Sequence, residues 1–399
     1  MGMVMRSNWV SRNYLWLLAG LAVCVAACPA AGQEDPPPLD IPTSALTGAL
    51  GPQYVSMVRA RLEYWRDQIA SATAPAAIIG AREGILRDYA RYDAVEYQYQ
   101  YPFARYATEI LTPALQQPAG EDDKLAALRQ VNLALALSKM SQVTIQPSLE
   151  MMVVHSNDAV RYLGWEGYRS ARTILLAQGR SETQQFLGSL RTAAAKEESA
   201  PVLGGIFEAC NISSFSVATV PAATMQQAQR QAFAVLQTNW RRWCERALAG
   251  DAEMIRAMSK AIAAVQTLAA GQEDAGKTAA LQMVVDVMRC ASLAYDEAGA
   301  EGPIAQEAMT LLQLCEGALN AEDGTLFVVT KKRGDYVTRA LDEKDAELRR
   351  VNVPTAVLKW IDELKEFGVV KADFAPPTPP PAPAPTAEDA TDAEPAPEG

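Results

Sequence analysis

Residues 147–179 read PSLEMMVVHSNDAVRYLGWEGYRSARTILLAQG, and their pattern decides the fold. Apolar residues recur every three or four positions, as one face of an α-helix requires. Pro147 opens a first helix with Leu149, Met152 and Val153 on one side. Asn157 and Asp158 supply a turn and an N-cap, because their short side-chain oxygens accept the N–H groups that a helix start leaves unpaired. A second helix follows, with Val160, Leu163, Gly164, Gly167, Ala171, Ile174 and Leu175 on its inner side. One helix pair cannot bury its apolar face alone, so further pairs have to stack on it.

Pro147, Leu149, Asp158, Val160-Arg161, the small residues Gly164 and Gly167, and Ile174 together resemble a HEAT repeat. The resemblance implies an α-solenoid of antiparallel helix pairs. It also implies that Asp158 and Arg161 join a ladder between successive repeats. The glycines stand where the family carries alanine, at about 1 kcal/mol of helix stability each, and small residues there let backbones approach. Upstream, Phe103–Gln116 and Glu121–Met140 read as a weaker pair, with Asp123 and Asp158 one repeat apart. Downstream, Ser181–Ala195 and Ser199–Cys210 read as a degenerate one. HEAT-like repeats are therefore assigned to residues 51–212.

Further outward the pattern stays helical. Gly51–Ser71 and Ala76–Tyr92 read as the two helices that open that range. Beyond the loop 211–222, a second helical region spans 223–371, with longer helices at 223–249, 252–270, 278–298 and 303–319. Thr325–Val329 is the one β-branched run, read as a short strand or a helix cap. Val337–Arg350 and Pro354–Phe367 read as two closing helices. Residues 372–399 hold nine prolines and six acids with no base, a composition that predicts an extended, disordered acidic tail. The expected class is all-α.

At the other end, Arg6 and Arg12 precede an apolar run from Tyr14 to Ala27, the pattern of an export signal over residues 1–32. Val25-Ala26-Ala27-Cys28 resembles a bacterial lipobox, which implies a lipid on Cys28. Ordinary cleavage near Ala30-Ala31-Gly32 and an uncleaved anchor are the alternatives. Each places the body outside the cytoplasm, in the periplasm or cell envelope, behind a proline-rich spacer at 33–50. In that compartment Cys210, Cys244, Cys290 and Cys315 have the choice of disulfides or of burial as small apolar residues.

The chain of 399 residues carries a formal charge of −11, and its longest basic run is Lys331-Lys332-Arg333, so nucleic acid is not an expected partner. A single histidine, His155, rules out multi-histidine metal sites, and no motif implies a cofactor. Gly271–Thr278 (GQEDAGKT) fits the phosphate-loop spelling of ATPases. That reading requires a strand before Gly271, yet Met254, Met258, Ile262 and Val265 precede it at helical spacing. Paired carboxylates near helix ends leave open a helical enzyme acting on envelope glycans.

Two clusters stand out as candidate binding surfaces. Arg161, Trp165, Tyr168 and Arg172 share one helix face, with Arg169 at its border, and aromatic and arginine residues together are typical binding anchors. Residues 89–106 hold six of the thirteen tyrosines, Tyr97, Tyr99 and Tyr101 among them, and tyrosine supplies rigid contact area for peptides or sugars. The sequence thus points to a non-enzymatic scaffold binding a protein partner or an envelope polymer, with membrane contact only through Cys28.

Overall fold

A computed structural model describes residues 35–117, 123–213, 220–299 and 301–374; the side chains of 93–97 lie outside that description. The signal, Cys28 and the acidic tail beyond Phe374 therefore lie outside the described residues, and of Tyr97 only the backbone lies within them. Fifteen α-helices and no strand occur among the described residues. In chain order they are α1 (Pro52–Ser71), α2 (Pro75–Tyr89), α3 (Glu96–Leu115), α4 (Lys124–Ser138), α5 (Gln146–Met152), α6 (Asp158–Gln178), α7 (Arg180–Lys196) and α8 (Ala200–Cys210). There follow α9 (Ala222–Leu248), α10 (Ala252–Ala269), α11 (Asp274–Glu297), α12 (Gly302–Asn320), α13 (Thr325–Thr330), α14 (Tyr336–Leu341) and α15 (Ala346–Leu364). None of them is long and apolar enough to cross a membrane.

Helix starts follow the sequence closely. Asp123, Asn157, Asp251 and Asp345 each cap a helix through the side chain, and prolines occupy the first turns of α1, α2, α5, α8 and α12, where the missing N–H costs nothing. Three expectations need correction. The helix expected from Phe103 already begins at Glu96 and runs through Pro102, because Tyr99 and Phe103 are both buried and their packing outweighs the proline. Thr325–Val329 is helical. The closing helices divide at Asp342–Asp345 and not at Pro354: the Asp345 carboxylate accepts Glu347 and Leu348 N–H groups, and the new helix carries Pro354 inside it.

Most helices pack against the next but one. One series runs α2, α4, α6, α8, α10, α12. In the other, α1 packs on α3 and α3 on α5, α7 packs on α9, α9 on α11 and α11 on α15. The α8–α10 contact carries the first series across the boundary between residues 212 and 223. In the centre, hydrogen bonds recur at a sequence offset of 36: Thr108 to Thr144, Thr112 to Ser148, Arg161 to Glu197 and Arg172 to Glu208. Further along, Trp240 Nε1 donates to the Met283 carbonyl at an offset of 43, as longer helices require. The small residues fit this packing. A Cβ on Gly167 would lie 2.4 Å from Leu149 Cδ2, and one on Gly164 would lie 2.9 Å from Val153 Cγ1.

The chain end is strapped back across α11 and α9. Gln282 donates to the Val370 carbonyl at 2.9 Å and accepts the Val370 N–H at 2.8 Å, while Arg241 donates to the Asp373 carbonyl. Gln282 is itself held by Asp286 Oδ1 at 2.7 Å. Burial pushes the Asp286 carboxyl up to about 6, with Gln282 and Arg241 opposing. An unfolded aspartate titrates near 3.9, so between those values the native state binds more protons and stability falls as pH rises. Asp286→Asn is therefore expected to stabilise the chain by about 1–3 kcal/mol at about pH 7.5, and by about half as much at about pH 5. Thermal melts of both proteins at the two pH values read this; a difference independent of pH would refute it.

Candidate functional site

The seam of α6, α8 and α10 gathers two sets of interacting charged groups, and the first begins with Arg161. Its guanidinium donates to both Glu197 oxygens at 2.8 and 3.0 Å, to Asp158 Oδ1 at 2.9 Å, and to the His155 and Ser156 carbonyls. Glu197 in turn accepts the Ser199 N–H just before α8, so one buried carboxylate ties the starts of α6 and α8 together. This corrects the expected ladder: Asp158 pairs within its own helix, and Glu197 makes the link to the next pair. Burial pushes Glu197 up, but Arg161 and the Ser199 N–H outweigh it and hold the carboxyl below its ordinary range.

Trp165 and Tyr168 are fully buried. Their rings tilt together at 5.4 Å, Tyr168 continues onto Phe186 at 5.2 Å, and Gly205 of α8 sits where a Cβ would be 3.1 Å from Trp165 Cβ. Arg172 donates to the Glu208 carbonyl at 2.7 Å, and burial lowers its pKa. The expectation of a partner-facing aromatic–arginine surface at Arg161, Trp165, Tyr168 and Arg172 is therefore corrected. An aromatic stripe with arginines is also what a helix buries against its next-but-one neighbour, and here that neighbour is α8. Arg169, at the border of that set, is the one that projects outward.

Arg169 leads to a cluster that sequence reading missed. Its Nη2 lies 2.7 Å from Glu166 Oε2, and its Nε lies 3.8 Å from Glu208 Oε2. Lys260, from α10, reaches Glu208 Oε1 at 2.9 Å and stands over the Tyr162 ring. Glu166 Oε1 is buried, and no nitrogen or hydroxyl donates to it. The Glu208 carboxyl lies close enough to influence it. Burial and Glu208 accordingly raise Glu166, whereas Lys260, Glu166 and Arg169 together outweigh burial and lower Glu208. Burial also pushes the Tyr162 hydroxyl up to about 12. The arrangement can recognise mixed charge: two cations, an acid pair and a tyrosine on three adjacent helices. Glu166 and Arg169 share the Tyr162 face at helical spacing, but Glu208 and Lys260 join them only through the packing of α8 and α10.

The tyrosine cluster is mostly interior. Tyr99 is fully buried and donates to the Asp88 carbonyl at 2.7 Å, which corrects its assignment to a binding surface. Tyr101 is half-buried on α3, its carbonyl accepting from Thr144. His155 accepts the Asn157 N–H on Nδ1 at 3.0 Å, which orders the turn, and burial lowers its pKa. The phosphate-loop spelling lies between two helices: α10 precedes Gly271, Gly276 and Thr278 fall inside α11, and Lys277 pairs with Asp274 at 3.2 Å. Cys210, Cys244, Cys290 and Cys315 are free and buried. Among the described residues no three His, Cys, Asp or Glu side chains converge as a metal site requires. No protein-family model matches the chain, and no curated protein matches it.

Proposed function

We propose that the chain is a non-enzymatic helical-repeat scaffold, an α-solenoid with a HEAT-like centre, that holds a protein partner or extended envelope polymer against the α6–α8–α10 surface. The next-but-one packing of the helices carries this reading. Stacked helix pairs present long shallow surfaces, which suit extended ligands better than small ones. The offset of 36 and the close approach at Gly167 support assigning the centre to this repeat type. Arg169 and Lys260 are the groups proposed to meet the ligand, since both are partly exposed and sit beside the acid pair. Export rests on the apolar run Tyr14–Ala27, with Cys28 as the proposed point of lipid attachment.

The test compares tagged full-length chain with an Arg169→Ala/Lys260→Ala variant in crosslinked envelope fractions. At least one partner is expected to fall by about tenfold, the equivalent of about 1.4 kcal/mol. Helical circular dichroism of both proteins shows whether the fold is kept. Equal recovery by two folded proteins would remove this surface from the proposal.

A further inference from the structure

Residues 368–374 (GVVKADF) lie in irregular conformation over α11 and α9, and the hydrogen bonds that tie them to these helices end on their backbone atoms. The Gln282 side chain meets Val370 as one strand meets another. Its Nε2 donates to the Val370 carbonyl at 2.9 Å, and its Oε1 accepts the Val370 N–H at 2.8 Å. The second Nε2 hydrogen goes to Asp286 Oδ1 at 2.7 Å, which fixes the amide with its oxygen towards that N–H. On α9, Arg241 donates to the Asp373 carbonyl at 3.4 Å. Main-chain pairing of this kind supplies affinity and leaves specificity to side-chain pockets. Val370 accordingly points outward, 64% exposed, while Val369 is 1% exposed.

The segment is lightly held. Val369 is its one fully buried side chain; Gly368, Val370, Lys371 and Asp373 are exposed, and Ala372 and Phe374 are half-buried. A segment with so few buried apolar contacts opens locally at a small fraction of the global stability. Gly368 gives the opening a hinge: its φ of +83° is a left-handed value that favours glycine, and it follows directly on the turn Lys365–Phe367. Beneath the closed segment lie an amide already oriented by Asp286 and a hole for one aliphatic side chain, with the exposed Arg241 guanidinium beside them.

We infer that the α9–α11 surface around Gln282 is a seat for an extended peptide segment of another protein, and that residues 368–374 occupy it as an internal competitor. The occupant states the ligand's chemistry. An aliphatic residue fills the Val369 hole. The residue after it has a free N–H for Gln282 and is therefore any residue but proline. A carbonyl three positions further on reaches Arg241. An internal competitor lowers the apparent affinity for such a partner by the fraction of molecules in which the seat is open. The seat belongs to the other series of helices from the α6–α8–α10 surface, so the inference goes beyond the scaffold reading and does not rest on it.

The probe is a labelled synthetic peptide of residues 366–374, titrated against full-length chains by fluorescence polarisation. In the Val369→Asp/Val370→Pro chain the internal segment loses both its buried side chain and its N–H, so the seat is vacated. That variant should bind the peptide at least about tenfold more tightly than the parent chain does. Adding Gln282→Ala to it should abolish binding, and so should proline at position 370 of the peptide. Circular dichroism confirms that each chain is folded. In the parent chain, the Val370 amide should exchange its hydrogen far faster than the amides inside α15. No binding by the folded, vacated chain at up to about 1 mM peptide would overturn the inference. So would equal binding by parent and vacated chains, binding that survives Gln282→Ala, or a Val370 amide that exchanges as slowly as α15. Dimerisation of the parent chain that Gln282→Ala abolishes would assign the seat to a second copy and would also overturn it.

Discussion

Glu316→Ala is expected to cost about 3–5 kcal/mol, because it strips a buried acceptor from four donors at once. Glu316 lies on α12 and is 2% exposed. Its carboxylate accepts the Val337 and Thr338 N–H groups at 2.8 Å each, the Thr338 hydroxyl at 2.6 Å and Trp360 Nε1 at 2.8 Å. The two N–H groups belong to the first turn of α14, a six-residue helix whose own N-cap, Asp335, caps none of its backbone N–H groups through the side chain. Helix starts leave such groups unpaired unless something caps them. Here the cap comes from another helix, and the same carboxylate holds the indole of α15. Removing it leaves two backbone donors and a fully buried tryptophan N–H unpaired, and frees α14 and α15 from α12 together. Urea melts followed by tryptophan fluorescence read the loss. Glu316→Gln keeps the shape and one acceptor oxygen but turns an NH₂ towards donors, so it should fall between parent and alanine. A loss below about 1 kcal/mol for the alanine variant would mean that α14 is held by packing alone.

That carboxylate marks where sequence reading stops. Helix existence was legible almost throughout, because apolar period, proline and cap residues are local signals, and Asp123, Asn157, Asp251 and Asp345 announce four helix starts. Gly164 and Gly167 were legible as points of close approach. The division near Pro354 was misread because a proline inside a helix looks like a break, and the burial of Val353, Val357 and Trp360 that keeps α15 intact is a tertiary fact. The candidate site was legible only in part for the same reason. Trp165 and Tyr168 on one helix face look alike whether they meet solvent or α8. Glu208 and Lys260 carry no local mark and acquire meaning only when next-but-one packing brings α8 and α10 beside α6.

Asp88→Ala is expected to destabilise the other end of the chain by a similar amount, about 3–5 kcal/mol. Its carboxylate is 3% exposed and accepts Arg61 Nε at 2.6 Å, Arg61 Nη2 at 3.2 Å and Trp65 Nε1 at 2.6 Å. Arg61 is only 13% exposed and also donates to the Pro37 carbonyl at 2.8 Å. The pair therefore joins α1, α2 and the spacer, while Tyr99 of α3 donates to the Asp88 carbonyl. Gly84 allows this closeness: a Cβ there would lie 2.4 Å from the Trp65 ring. Alanine at 88 leaves a largely buried guanidinium without a counter-charge and an indole N–H without an acceptor, and breaking one side of such a pair is far more costly than never having formed it. Asp88→Asn retains an acceptor and should lose less, about 2 kcal/mol. The decisive measurement is a double-mutant cycle with Arg61→Ala. A coupling of about 1.5 kcal/mol or more is expected, because the single losses share one interaction. Near-additive losses would instead place the stabilisation in the Trp65 and Tyr99 contacts, and would leave the spacer attached when Arg61 is lost. Limited proteolysis near Pro37 separates these outcomes: with a coupled pair, either single variant opens the spacer to cleavage.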